Sequence, residues 1–230
     1  GEIKGGFLKS FLKKIFQKSV FIAVRDESSK EELKKIGVSK KIHLMPDLAF
    51  KITPPAKSKP DGKKIVVCLR SLRKFPPNFK DSLISFFNYL IEETGHQLQF
   101  VDYGIGEGDT KLHQEIIAEI NKQSSVSHLT EPDIDKLLNE LNSANFVIGM
   151  RLHSIISSIL VNTPFIAISY SPKVENLLET LGLSEYCLKM EEVNPTSLKS
   201  LFEKAVNAKV NPGRPLQHAE IEKQLKTILI

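Results

Sequence analysis

The sequence has no tryptophan, only two cysteines and three methionines, and aromatic residues make up 7% of its 230 positions. Cys68 and Cys187 lie far apart, and Cys68 falls in an apolar run. Neither a disulfide framework nor a cysteine-based zinc site is expected, and a reducing cytoplasm suits such a chain. No apolar run approaches the ~20 residues that cross a bilayer. The opening Gly1-Glu2-Ile3-Lys4 leads into a basic segment rather than the apolar core of a secretory signal. Charge of one sign is not in large excess: 32 basic against 27 acidic residues give a net charge of +5. Many lysines alternate with glutamates, as in Ser29-Lys30-Glu31-Glu32-Leu33-Lys34-Lys35, the pattern of a solvated helix face. With few aromatics and no basic-aromatic module, no nucleic-acid partner is expected. The 41% apolar and 26% charged content is that of an ordinary globular protein.

What is present reads as α/β architecture. Residues 7–16 repeat apolar side chains at helical spacing with lysines opposite. The preferred reading is a helix that packs on a sheet; the alternative is a peripheral seat on an anionic membrane, at its cytoplasmic face. A strand is predicted over 20–24, a helix over 29–36 stopped by Gly37, and a short strand over 41–44. Residues 53–62, with three prolines and a terminal glycine, form the clearest linker. The domain reading is therefore a partial α/β domain over 1–52, a linker over 53–62 and a Rossmann-like domain over 63–230. About 52 residues bury little core unaided, so the chain reads as opening part-way through its first domain. Beyond the linker, strands are predicted at 64–69, 97–101, 126–128, 145–149, 164–169 and near 186–189. Helices are predicted at about 79–94, 110–122, 132–142, 152–161, 173–181, 195–208 and 217–228. Strictly alternating strands and helices imply a parallel, doubly wound sheet, with ligands at the carboxyl ends of its strands.

One such end stands out. Asn145-Phe146-Val147-Ile148-Gly149 is an apolar strand closed by glycine, followed at once by Met150-Arg151-Leu152-His153-Ser154 and a buried-helix pattern. A strand-to-helix corner presents free N–H groups and a positive dipole end to an anion. Arg151 adds a planar fork, and His153 a group that exchanges protons near neutral pH. Similar corners also occur for structural reasons alone. Elsewhere, Arg25 and Asp26 read as an ion pair at a helix start, with Ser28 or Ser29 as N-cap. Asp47 reads as a turn former, and Asp109 as the cap of the helix that follows it. The glycine-rich run 102–109 lacks dinucleotide spacing, and its acids would repel phosphate. The remaining histidines, 43, 96, 113, 128 and 218, read as surface or packing residues. No carboxylate and histidine set has metal-ligand spacing.

Four pieces taken in order carry a resemblance: Val24-Arg25-Asp26-Glu27-Ser28-Ser29; Pro46-Asp47-Leu48-Ala49-Phe50; Gly149-Met150-Arg151-Leu152-His153-Ser154; and Ile168-Ser169-Tyr170-Ser171-Pro172-Lys173-Val174 with Leu181-Gly182-Leu183. Together they resemble the polysaccharide pyruvyl transferase family over nearly the whole chain. The resemblance implies a GT-B-like fold. It also implies transfer of pyruvate from phosphoenolpyruvate to a sugar hydroxyl pair in a surface polysaccharide or its lipid-linked precursor. By that resemblance the chain is expected to open after the glycine-rich N-terminal stretch usual in the family. The resemblance places catalysis at His153, and the corner itself, Arg151 with Leu152 at the helix start, is the expected donor clamp. The resemblance also places a donor-binding arginine at Arg70, with Arg73 as a nearby competitor. Lys173, Tyr170 and Ser154 complete the expected substrate-binding set, with no metal or cofactor. Two rivals stand beside this reading. One is a glycosyltransferase using a nucleotide-sugar, with Glu175 or Glu179 holding the ribose; the other is a non-catalytic relative that binds a glycan or partner.

Overall fold

A computed structural model describes residues 3–60, 62–104 and 106–208. The helix predicted over 217–228, and His218 with it, lie outside the described residues.

Residues 3–44 build a small unit. Helix α1 (Gly6–Lys18) precedes strand β1 (Ala23–Val24), helix α2 (Glu27–Lys35) and strand β2 (His43–Leu44), which pairs in parallel with β1. Ile22, Leu33, Ile36, Val38 and Ile42 form its core. Helix α1 buries no residue fully. Leu12 and Phe16 pack on that core, while Phe7, Phe11 and Ile15 are exposed. The predicted strand over 20–24 is shorter than expected because Val20 is fully exposed. Asp26 caps α2, accepting from the Ser29 amide at 2.6 Å; it takes the place expected of Ser28 or Ser29. An Asp oxygen reaches the third helical amide as readily as a serine hydroxyl does.

The main sheet has six parallel strands: β3 (Lys64–Cys68), β4 (Gln97–Val101), β5 (Val126–Leu129), β6 (Phe146–Gly149), β7 (Phe165–Ser169) and β8 (Cys187–Lys189). Their spatial order is β5-β4-β3-β6-β7-β8. Between them run α3 (Phe79–Glu92), α4 (Asp109–Ala118), α5 (Ile134–Ser143), α6 (Leu152–Leu160) and α7 (Pro172–Thr180), and α8 (Pro195–Asn207) follows. Alternation along β3 divides the core in two. Ile65, Val67 and Leu69 face α3, α4 and α8; Val66 and Cys68 face α5, α6 and α7. Strands covered on both faces read as continuous apolar runs, which is how the sequence writes them.

The chain winds from β3 outward to β5, then crosses back to β6 on the other side of β3. Cys68 and Gly149 are register partners. This is the doubly wound order, and the crevice beyond β3 and β6 is its switch point, where such sheets bind ligands. Residues 53–60 have no regular secondary structure but are tied to the sheet domain. Lys57 Nζ donates to the Val161 and Asn162 carbonyls, each at 3.1 Å, and Asn142 donates to the Ala56 carbonyl at 2.7 Å. Phe50, just ahead of the linker, is already buried in the core of the large sheet.

Candidate active site

Arg70 and Arg151 arrive at the switch point from β3 and β6. Gly149 makes the second corner tight: a Cβ there would stand 2.9 Å from Ser154 Oγ and 3.1 Å from Ile155 Cγ1. Arg151 is the N-cap of α6, and its side chain turns into the protein rather than toward solvent. Nε and Nη2 donate to the two oxygens of Asp109 at 2.7 and 2.8 Å, and Nη1 donates to Glu107 at 2.7 Å. The expected free fork is thus a fork already engaged by carboxylates. Burial alone would lower the pKa of Arg151, but the hydrogen bonds it donates to these two carboxylates outweigh that and raise it. Gly104 admits the guanidinium, since a Cβ at that position would overlap it.

The acids of the glycine-rich run therefore serve the arginines rather than standing unpaired against phosphate. Asp109 is not the cap of α4; Gly108 occupies the cap and Asp109 is the first helical residue. Fully buried, it accepts from the Ser71 amide at 2.9 Å in addition to Arg151. Two more side chains grip the same stretch. The Leu69 amide donates to His113 Nε2 at 3.2 Å, and the Arg70 amide lies 3.5 Å from Met150 Sδ. Three consecutive amides are thus held from outside their own strand, which fixes where Arg70 begins. Its guanidinium lies over the Tyr170 ring, 5.1 Å from the centroid, and 3.4 Å from Glu107. Arg70 Nε is buried and has no hydrogen-bond partner among the described residues. Arg73 is exposed on the loop that follows.

His113 belongs to a group that sequence reasoning missed. Asp102 Oδ1 lies 2.7 Å from His113 Nδ1 and 2.8 Å from His128 Nε2, and Oδ2 accepts from Thr110 at 2.6 Å. Because His113 Nε2 accepts the Leu69 amide, its proton is on Nδ1 and goes to Asp102. Burial alone would raise the Asp102 pKa, yet the bonds from His113, Thr110 and His128 hold it well below the usual carboxylate range. Asp102, His113 and His128 are close enough to hold an ion. A metal-bound imidazole ordinarily donates through its second nitrogen, whereas here that nitrogen is an acceptor. The donor set suits a brace beneath Arg70, not a metal. The signal was a histidine among the apolar residues of α4 and an aspartate ending a buried strand: buried polar groups need partners.

His153, on the exposed side of the α6 start, is 60% accessible. Its Nε2 lies 4.0 Å from Asp47 Oδ2, an oxygen that also accepts from Arg25 Nη1 at 3.0 Å. The other Asp47 oxygen caps the 3-10 turn Leu48–Lys51. Asp47 thus does form a turn, and it also joins the small unit to the site corner. Beside it opens a cleft of about 290 Å³ between the two units, lined by Arg25, Asp47, Phe50, Leu152, Ile156 and Lys173 among others. Lys173 is exposed in the first turn of α7, where Pro172 begins the helix. Ser154 is fully buried, its hydroxyl donating to the Arg151 carbonyl at 2.6 Å. Of the expected set, Leu152, Lys173 and His153 stand at the cleft or its rim, Arg70 and Tyr170 stack on one another at the switch point, and Arg151 and Ser154 are interior.

Six parallel strands in this order, with a second α/β unit across a cleft, define a domain of the GT-B glycosyltransferase architecture. A glycosyltransferase from Rickettsia africae superposes with a TM-score of 0.59 at 16% identity, covering all of this chain and 68% of that one. The pneumococcal O-GlcNAc transferase GtfA, solved with UDP and GlcNAc, gives 0.63 at 12% identity, covering 97% of this chain and 47% of that one. Anabaena HepE, solved with UDP and glucose, gives 0.60 at 13%, covering 97% and 66%. The chain thus spans about half to two thirds of these proteins, and at such identities the likeness is one of fold. No curated protein matches the sequence. The model of the polysaccharide pyruvyl transferase family matches residues 1–172, and the chain belongs to that family.

Proposed function

We propose that the chain carries the donor site of a transferase that moves pyruvate from phosphoenolpyruvate to two hydroxyls of a surface glycan or its lipid-linked precursor, forming a ketal. The observation that carries this reading is the exposed His153 imidazole at the positive end of α6, with Asp47 at 4.0 Å, on the helix that follows β6, the neighbour of the strand that leads to Arg70. Arg70 and the first amides of α6 receive the phosphate or carboxylate, and Lys173 adds charge from across the cleft. Protonated His153 gives its proton to C3, which becomes the methyl carbon, as a sugar hydroxyl bonds to C2. A positioned acid of this kind contributes about 10²–10⁴-fold. The second hydroxyl then bonds to C2 as the C2–O bond to phosphate breaks. One hydroxyl proton returns to the imidazole and the other leaves with phosphate.

The nucleotide-sugar reading needs an open carboxylate for a ribose. Of its two candidates, Glu175 is already taken, accepting from Ser169 Oγ at 2.9 Å and lying 3.7 Å from Lys189, whereas Glu179 is exposed. Thermal melting separates the two readings. A ligand that binds only the folded state raises Tm by mass action. Phosphoenolpyruvate at millimolar concentration is expected to raise Tm, and UDP-glucose to leave it unchanged; the reverse result replaces this reading with glycosyl transfer. His153→Ala is expected to keep the shift and lose ketal formation, whereas a lost shift would make His153 a binding residue.

A further inference from the structure

We propose that Glu107 is a built-in anion that holds the place of the substrate's charged group between Arg70 and Arg151 and leaves it when that group binds. The inference rests on the donor-site reading and deepens it. One oxygen, Glu107 Oε2, serves both guanidiniums, at 2.7 Å from Arg151 Nη1 and 3.4 Å from Arg70 Nη2. Two cations sharing one carboxylate oxygen is the arrangement that a phosphate or carboxylate oxygen of a ligand would adopt. The charge count of these four side chains favours an exchange. Arg70 and Arg151 formally balance Glu107 and Asp109, so a doubly charged ligand meets a neutral site unless one acid moves.

Only one of the two acids is free to move. Asp109 is fully buried in a two-point pair with Arg151 and also holds the Ser71 amide. Glu107 is 51% exposed and held by one bond to Arg151 and a longer contact with Arg70, itself 33% exposed, so solvent screens it and it is held less firmly than Asp109. The loop that carries Glu107 is flanked by Gly104, Gly106 and Gly108. Gly106 and Gly108 have φ of +72° and +85°, so the turn can re-form at little steric cost. A second, independent observation points to a missing ligand. Arg70 Nε is buried with no hydrogen-bond partner among the described residues, a donor that Glu107 leaves unpaired and that suits an oxyanion once Glu107 has moved.

The test is titration calorimetry on the whole chain with inorganic phosphate and, separately, phosphoenolpyruvate. If the latch is closed about nine-tenths of the time, Glu107→Gln tightens phosphate binding about tenfold. The gain is expected to vanish in the Arg70→Ala/Glu107→Gln double variant. No gain in Glu107→Gln overturns the proposal, as does a gain that survives loss of Arg70. Tighter phosphate binding without phosphoenolpyruvate binding keeps the latch and removes the pyruvyl-donor reading. Glu107→Asp, which shortens the latch by one methylene, is expected to give a smaller gain in the same direction and serves if the glutamine variant does not fold.

Discussion

Asp109 exposes no surface, and both of its oxygens are bonded to the Arg151 fork. Truncating Arg151 to alanine strands that carboxylate in the interior. Removing one partner of a buried pair costs about 3–5 kcal/mol, so Arg151→Ala is expected to melt far below the parent with no ligand present. Lysine is a poor substitute, since an ammonium lacks the planar two-point match. Arg70 sits in a half-exposed stack on Tyr170, and Arg70→Ala is expected to stay within about 0.5 kcal/mol of the parent while losing the shift given by phosphoenolpyruvate. Melting both variants with and without that ligand checks the division. Equal stability of the two would mean that the inward pair is not structural. Arg70 and His153 were legible in the sequence because each closes or follows an apolar strand. The inward turn of Arg151 was not, because Asp109 lies 42 residues earlier and the two meet only after β3 separates their strands.

The elements themselves were written plainly in the periodicity. Alternation of short apolar runs with 3.6-residue patterns placed all six strands of the large sheet and its helices through α8, with ends shifted by a few residues where turns fray. Tertiary braces leave no such period. Asp102 follows β4, His113 lies on α4 and His128 on β5, and their meeting depends on how α4 seats against the sheet. What this brace does belongs to the element: it clamps the carboxyl end of β3 through the Leu69 amide. His113→Ala leaves the Leu69 amide unsatisfied, at a cost of about 1–3 kcal/mol, takes one of three side-chain bonds from Asp102, and opens a cavity. Hydrogen exchange is expected to quicken at Leu69 and Ser71 first, and the phosphoenolpyruvate shift to shrink although His113 is not at the cleft. Unchanged exchange at Leu69 would show that the strand end holds itself.

At the scale of the whole molecule, one buried carboxylate ties stability to acidity. Asp102 is held well below the ordinary carboxylate range by His113, Thr110 and His128, against the opposing effect of burial. In the unfolded chain the same group takes up its proton near pH 3.9. On acidification the unfolded state therefore binds the proton first. The contribution of Asp102 is fully present above about pH 4 and is lost as pH falls toward its depressed folded value. The net charge, +5 near neutrality, grows more positive as acids are neutralised, and self-repulsion adds to the loss. That second effect acts over the whole surface and is nearly the same in any single variant. Asp102→Asn keeps the shape and removes the titration, so it isolates the first. The variant is expected to melt below the parent at pH 7, because a charge-assisted acceptor of three bonds has become a neutral one. Its Tm is then expected to decline less steeply than the parent's from about pH 4 downward, so that the two curves converge. Parallel curves over that range, measured by calorimetry at fixed ionic strength, would mean that Asp102 is not the group linking the fold to protons, and that the acid sensitivity resides in the exposed glutamate–lysine pairs.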